Sequence, residues 1–252
     1  MTCMRWAPPL RKLAWLIERP IAHRGLHDGA RGIVENTATA FDAAISRGYV
    51  IECDLQLSAD GEAMVFHDAR LDRLTTATGR VIDQPAAALK EVAFRDTPER
   101  MQTLAELLHQ VQGRVPLVIE LKSHWDGSLA LARRTVELVS RYDGRIALMS
   151  FDPEVVAGLS ELAPWAVRGM VAERVSDAPL DLARRLCLRH FSHVDRSRPH
   201  FLSYQVDGLP WGPSRAFRQA GLPVICWTVR DMHTASRSRR YADQITFEGF
   251  LP

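Results

Sequence analysis

No stretch of this sequence reaches the ~18 consecutive apolar residues of a membrane-spanning helix. The N-terminal segment, residues 1–19, lacks an uninterrupted apolar run, because Arg5, Arg11, Lys12 and Glu18 break it. That disfavours a secretory leader. Cysteine is scarce: Cys3, Cys53, Cys187 and Cys226 form no C-x-x-C pair, so a zinc knuckle or dithiol redox motif is disfavoured. Cys53 and Cys226 lie inside apolar runs and read as small buried hydrophobes. P-loop, G-x-G-x-x-G and G-x-S-x-G patterns are all missing, which argues against nucleotide binding and serine hydrolysis. Excess charge of one sign is missing too. A formal net charge of +2 gives no bulk attraction to nucleic acid. The local runs Arg184-Arg185 and Arg237, Arg239 and Arg240 read as solvated helix faces, because arginine stems also cover apolar surface. Internal repeats and low-complexity tracts are absent. These absences describe a soluble, cytoplasmic protein with no stable membrane association.

What is present fits an ordinary globular domain: 252 residues, 46% hydrophobic and 25% charged. A chain of this size buries most of its apolar surface without staples. Its length suits one (β/α)8 barrel of ~250 residues, or two smaller domains. Short β-prone runs occur at 20–23, 50–57, 117–122, 146–150, 166–171, 201–206, 224–229 and 244–247. Helical patterns fall between them at 37–47, 129–141, 153–162, 180–189, 214–220 and 232–241. Such alternation predicts an α/β fold with a parallel sheet. Runs such as Leu117-Val118-Ile119 suit strands covered on both faces. Eight such units predict closure into a single TIM-type barrel. One stretch breaks the pattern. From 68 to about 114 the chain is polar, with one clear helix at 104–111, too long for a barrel loop. It is expected to be a small insertion after the second strand, capping the mouth, punctuated by Pro98 and Pro116.

Chemistry-bearing residues gather at strand ends, where barrel active sites are built. They are Ala22-His23-Arg24-Gly25, Val34-Glu35-Asn36-Thr37, Ile51-Glu52-Cys53-Asp54, Val65-Phe66-His67-Asp68 and Ile119-Glu120-Leu121-Lys122. Glu52 and Asp54 stand at i and i+2, so both point to one face of a strand. Paired carboxylates in a low-dielectric interior repel and need a counter-charge. A hard divalent cation, Mg2+ or Ca2+, meets that need, with Glu120 as a third ligand. An ion-pair network with Arg24 and Lys122 also meets it. His23 and His67 each end a strand beside a charged residue, and suit proton transfer or a structural role. Arg24 and Lys122 suit an anionic group such as phosphate. Trp227 lines a substrate groove or belongs to the core. Glu248 reaches the mouth or caps the terminus. His27, His109, His124, His190, His193, His200 and His233 read as surface residues. The set describes phosphoryl or phosphodiester chemistry, though a sugar-phosphate isomerase uses similar groups.

In order and spacing, these segments resemble the glycerophosphodiester phosphodiesterase family over nearly the whole chain from about Pro20. The match runs through His23-Arg24-Gly25, Glu35-Asn36-Thr37 with Phe41 and Ala44, Gly48 to Asp54, and Asp60-Gly61. It continues through His67-Asp68 with Leu71, Arg73, Thr75 and Gly79, then Ile119-Glu120-Leu121-Lys122, Ser150-Phe151 and Trp227-Thr228-Val229. The resemblance implies a TIM barrel with an insertion after the second strand. It implies metal ligation by Glu52, Asp54 and Glu120, and acid–base roles for His23 and His67. Arg24 and Lys122 would contact phosphate, with Glu35 in support. The implied reaction cleaves a glycerophosphodiester, such as glycerophosphocholine, to glycerol 3-phosphate and an alcohol. A lysophospholipase-D-like enzyme on lipid substrates and a non-catalytic phosphodiester-binding barrel are the competing readings. A small-molecule substrate and a monomer or homodimer are expected. Two positions depart from the family pattern. Many members carry Asn where this chain has Arg230, and many end in a Thr-Asp turn where it reads Thr246-Phe247-Glu248-Gly249.

Overall fold

The computed structural model describes residues 8, 12–95, 97–174 and 180–252. Cys3, Arg5 and Arg11 of the N-terminal segment lie outside the described residues. In chain order the elements are α1 (Trp15–Glu18), β1 (Ile21–Ala22), α2 (Ala38–Ser46), β2 (Val50–Leu57), β3 (Ala63–Val65), α3 (Ala86–Glu91) and α4 (Leu104–Val111). Then follow β4 (Leu117–Leu121), α5 (Ala130–Val139), β5 (Ile146–Ser150), α6 (Pro153–Leu162), β6 (Val167–Ala172), α7 (Leu182–His190) and α8 (Val194–Ser197). The chain finishes with β7 (Phe201–Gln205), α9 (Gly212–Gln219), β8 (Val224–Val229), α10 (Met232–Ser238) and β9 (Gln244–Phe247).

Strands β1, β2 and β4 to β9 pair in parallel, and β1 meets both β9 and β2, closing the ring. The fold is therefore the TIM-type barrel expected from the alternation. Strand β3 pairs antiparallel with the far end of β2, Leu55 opposite Val65, so the chain turns back before entering the insertion. Strand residues alternate between two cores. Ile21, Val50, Val118, Ala147, Val171, Phe201 and Ile225 fill the barrel interior, with Trp15 and Leu16 of α1 packed against them. Ile51, Cys53, Leu55, Ile119, Leu121 and Leu148 face the helices. Gly169 of β6 leaves room for Phe201, since a Cβ there would lie 2.2 Å from the ring.

Side-chain caps fix the helix starts. Thr103 and Glu106 form a reciprocal capping box on α4. Asp152 caps α6 with Pro153 behind it, and Asp231 caps α10. Helix α4 packs against α2 and α5, as a member of the helix ring. The insertion has a small core of its own: Met64, Phe66, Leu71, Val81, Leu89, Phe94 and Met101. Arg184, Arg185, Arg237, Arg239 and Arg240 are exposed, as read from the sequence. Among the described residues no helix is long and apolar enough to cross a membrane.

Candidate active site

The site lies at the C-terminal ends of the barrel strands, built outward from β2 and β4. Alternation on β2 sends Glu52, Asp54 and Gln56 inward while Cys53 and Leu55 pack against the helices. In the β2–β4 register Asp54 stands opposite Glu120. Ligand oxygens of Glu52, Asp54 and Glu120 all lie within 4.8 Å of one another, and all three residues are buried. Lys122 Nζ reaches Asp54 at 2.8 Å and Glu120 at 2.5 Å.

The turn after β1 supplies the next groups. Arg24 adopts φ 54° and Gly25 φ 80°. Gly25 is required twice over, because its backbone favours glycine and a Cβ would lie 2.9 Å from the Ala40 backbone. This turn aims the Arg24 amide at Glu52 Oε2, 3.0 Å away. The Arg24 guanidinium donates from Nη1 to Glu35 at 2.6 Å and brings Nε to 3.4 Å from Asp54. Asn36 Nδ2 donates to Asp54 Oδ2 at 2.9 Å, and the Asn36 amide donates to the Arg24 carbonyl.

Each histidine leans on a carboxylate that an arginine holds. His23 Nδ1 is 2.5 Å from Glu248 Oε2, and Arg230 donates to Glu248 Oε1 at 2.8 Å. His67 Nδ1 is 2.7 Å from Asp68, and Arg73 donates to the same carboxylate at 2.6 Å. A carboxylate only accepts, so Nδ1 carries the proton in both rings. His23 Nε2 lies 4.0 Å from Glu52. Arg73 continues to Glu35, which holds Arg24 in turn.

Charge in this cluster does not balance. Three carboxylates meet two cations, Lys122 and Arg24, and Arg24 is shared with Glu35. Burial, then the charges of Asp54 and Glu120, push the Glu52 carboxyl well above its ordinary range. Burial also opposes ionisation of Asp54, but Lys122, His67, Arg24 and His23 outweigh it and hold Asp54 well below the usual range. Burial lowers the affinity of His23 for a proton, against the hydrogen bond that its ring donates to Glu248. Both arrangements foreseen from the sequence, the donor set and the ion-pair network, therefore occupy the same cluster. The network alone leaves Glu52 needing a proton. A divalent cation satisfies the same deficit, and the all-oxygen donor set fits one.

Trp227 sits half-buried at the mouth end of β8, edge-on to Phe151 at 5.5 Å, and donates from Nε1 to the Ser203 carbonyl. Some sequence expectations need correction. His193 and His200 are buried, not surface residues. His193 bonds Ser197 and packs on Phe191, and His200 accepts the Arg168 amide. His27 and His124 are half-buried. Gln56, which the sequence motifs do not single out, continues the inward series of Glu52 and Asp54 and donates to the His67 carbonyl at 2.9 Å.

Fold and site together define a barrel phosphodiesterase, an enzyme of the hydrolase class. The sequence profile of the glycerophosphoryl diester phosphodiesterase family matches residues 23–247, and the chain belongs to that family. It is 28% identical over 228 residues to a Bacillus subtilis protein named for glycerophosphodiester phosphodiesterase activity, covering 86% of this chain and 88% of the other. An Oleispira antarctica phosphodiesterase, solved in complex with its product sn-glycerol-3-phosphate, superposes with TM-score 0.79 at 21% identity, covering 96% and 95% of the two chains. A glycerophosphodiester phosphodiesterase from Agrobacterium tumefaciens superposes with TM-score 0.68 at 26% identity, covering 91% and 95%.

Proposed function

We propose that this enzyme hydrolyses small glycerophosphodiesters to glycerol 3-phosphate and an alcohol, with Mg2+ or Ca2+ held by Glu52, Asp54 and Glu120. The carrying observation is the charge-deficient triad of buried carboxylates flanked by two carboxylate-backed histidines. A divalent cation held there supplies positive charge to a phosphoryl oxygen. Arg24 and Lys122 bind the phosphate, and Arg24 Nε is a buried donor with no hydrogen-bond acceptor among the described residues. Glu35 fixes Arg24, and Trp227 lines the groove for the glycerol or alcohol part. His23 and His67 move protons. One takes the proton of the glycerol 2-hydroxyl, whose oxygen attacks phosphorus while the bond to the alcohol breaks. The other gives that alcohol its proton. Water then opens the cyclic phosphate with the roles reversed. Free Cys53, Cys187 and Cys226 are in keeping with a cytoplasmic enzyme.

Purified protein tested for glycerol 3-phosphate release decides the matter. Glycerophosphocholine and glycerophosphoethanolamine should both be cleaved, with kcat/KM within about two orders of magnitude, a gap of roughly 2.7 kcal/mol. EDTA should abolish turnover, and Mg2+ or Ca2+ should restore it. Full activity in chelator would overturn the cation assignment. Cleavage confined to long-chain lysophospholipids would put the lipid reading in its place.

A further inference from the structure

We infer that His23, His27 and Glu248 form a second metal site, suited to a transition-metal cation of the Zn2+ class, whose occupation arrests turnover. One nitrogen of each ring and one Glu248 oxygen lie within 4.8 Å of one another. Glu248 divides its two oxygens. Oε1 is held by Arg230 at 2.8 Å, while Oε2 faces His23 Nδ1 at 2.5 Å and His27 Nε2 at 3.6 Å. His27 Nε2 is buried and makes no hydrogen bond among the described residues. A buried polar atom held only at that 3.6 Å is poorly satisfied, and a cation beside Oε2 supplies a closer partner.

Donor chemistry separates this site from the carboxylate triad. Two imidazoles and one carboxylate match a three-ligand zinc site with an open fourth position, whereas three carboxylates match hard cations. Arg230 takes the place of the outer hydrogen-bonding partner that ligating carboxylates usually have. Tetrahedral ligands ~2.1 Å from zinc stand ~3.4 Å apart, so the His23–Glu248 pair opens by ~1 Å on binding. A 610 Å³ cavity lined by His27, Asp28, Arg31, Arg230, Glu248 and Phe250 gives the cation a path in from solvent.

The effect on turnover rests on the role of His23 proposed above; the binding does not. His23 stands between the two clusters, with Nδ1 toward Glu248 and Nε2 4.0 Å from Glu52. A cation on Nδ1 displaces the proton from that atom and keeps the remaining ring proton on Nε2. The ring then cannot take a proton at Nε2, and one half of the proton-transfer pair is lost.

Zn2+ binding is measured calorimetrically in saturating Mg2+, so that the carboxylate triad is filled, alongside turnover in the same buffer. The parent protein should bind one equivalent of Zn2+ and lose activity in proportion to occupancy. His27→Ala, checked for fold by circular dichroism, should keep its Mg2+-supported turnover, weaken Zn2+ binding at least ~10-fold and resist inhibition equally. Glu52→Gln should still bind Zn2+ as tightly as the parent. Equal affinity and inhibition in His27→Ala and the parent would overturn the site. Zn2+ binding that depends on His27 yet leaves turnover intact would overturn the arrest, and with it the acid–base role of His23, while calorimetry alone reports the site.

Discussion

A carboxylate can stay ionised inside a protein only when something nearby is positive, and the three acids of this barrel mouth have too little of it. Glu52 carries the shortfall, so Glu52→Gln should leave a folded protein of near-parental melting temperature with little turnover, measured by scanning calorimetry beside the assay. The histidines should answer differently. His23→Ala and His67→Ala should each lower kcat by about 100- to 10,000-fold with much smaller changes in KM. Their losses should be far from additive, because each variant already lacks half of one relay. Near-full kcat in His67→Ala would assign that residue a structural role. Glu248→Gln removes the charged acceptor that orients His23 and should cost about 10- to 100-fold in kcat, with Glu248→Asp recovering part of it. Equal KM and kcat in parent and Glu248→Gln would deny it a positioning role. Much of this site is legible in the sequence for a local reason. Glu52 and Asp54 are two residues apart on one strand, and strand geometry puts them on one face. The support of His23 is not legible, because Glu248 lies 225 positions away and only barrel closure brings it near. Arg230 and Glu248, two departures from the family pattern, turn out to be partners of each other.

Strands and helices follow from periodicity with small errors at their ends. Observed β2, β5, β8 and β9 begin and end where the β-prone runs do, because nearly all of their residues are buried, the acids of β2 included. Helix ends are set by caps such as Thr103 with Glu106, which hydrophobic spacing does not register. Packing between neighbouring strands is equally invisible along the chain. Gly169→Ala should lower stability by about 1–3 kcal/mol, since the added methyl meets the Phe201 ring inside a filled barrel. An unchanged denaturation midpoint would mean that Phe201 has room to move. Two buried histidines beside β7 make stability depend on pH. Burial pulls His193 from 6.5 to about 4, and burial with Arg168 pulls His200 to about 3. Both folded-state values are depressed, so the unfolded chain binds protons first. Their contribution is therefore complete above 6.5 and falls away as pH drops toward 4 and below. Urea midpoints measured from pH 7.5 to 4.5 should fall, and His193→Gln with His200→Gln should flatten that slope.

As a whole, the molecule is a closed ring with a second, smaller core attached at one edge. Ring closure leaves the barrel strands no free edge, because β1 pairs on both sides. The insertion is held by β3, by its own cluster around Phe66 and Phe94, and by the Arg73 contacts to Glu35 and Asp68. Smaller cores open more readily than large ones. Amide exchange between residues 71 and 101 should therefore outpace that of β4 to β8. Heat should abolish turnover at a lower temperature than it melts the barrel's circular dichroism signal. Coincident transitions would mean that the two cores unfold as one. His67 and Asp68 sit at the seam between them, just before Leu71. The private core thus makes the insertion an exchangeable part, like a tool head on a fixed handle. Separate melting of the two cores would let its length and surface drift through generations, or be swapped by a designer, without unfolding the barrel. Asp68 and Arg73, which tie the insertion to Glu35 at the barrel mouth, are the residues that must keep step.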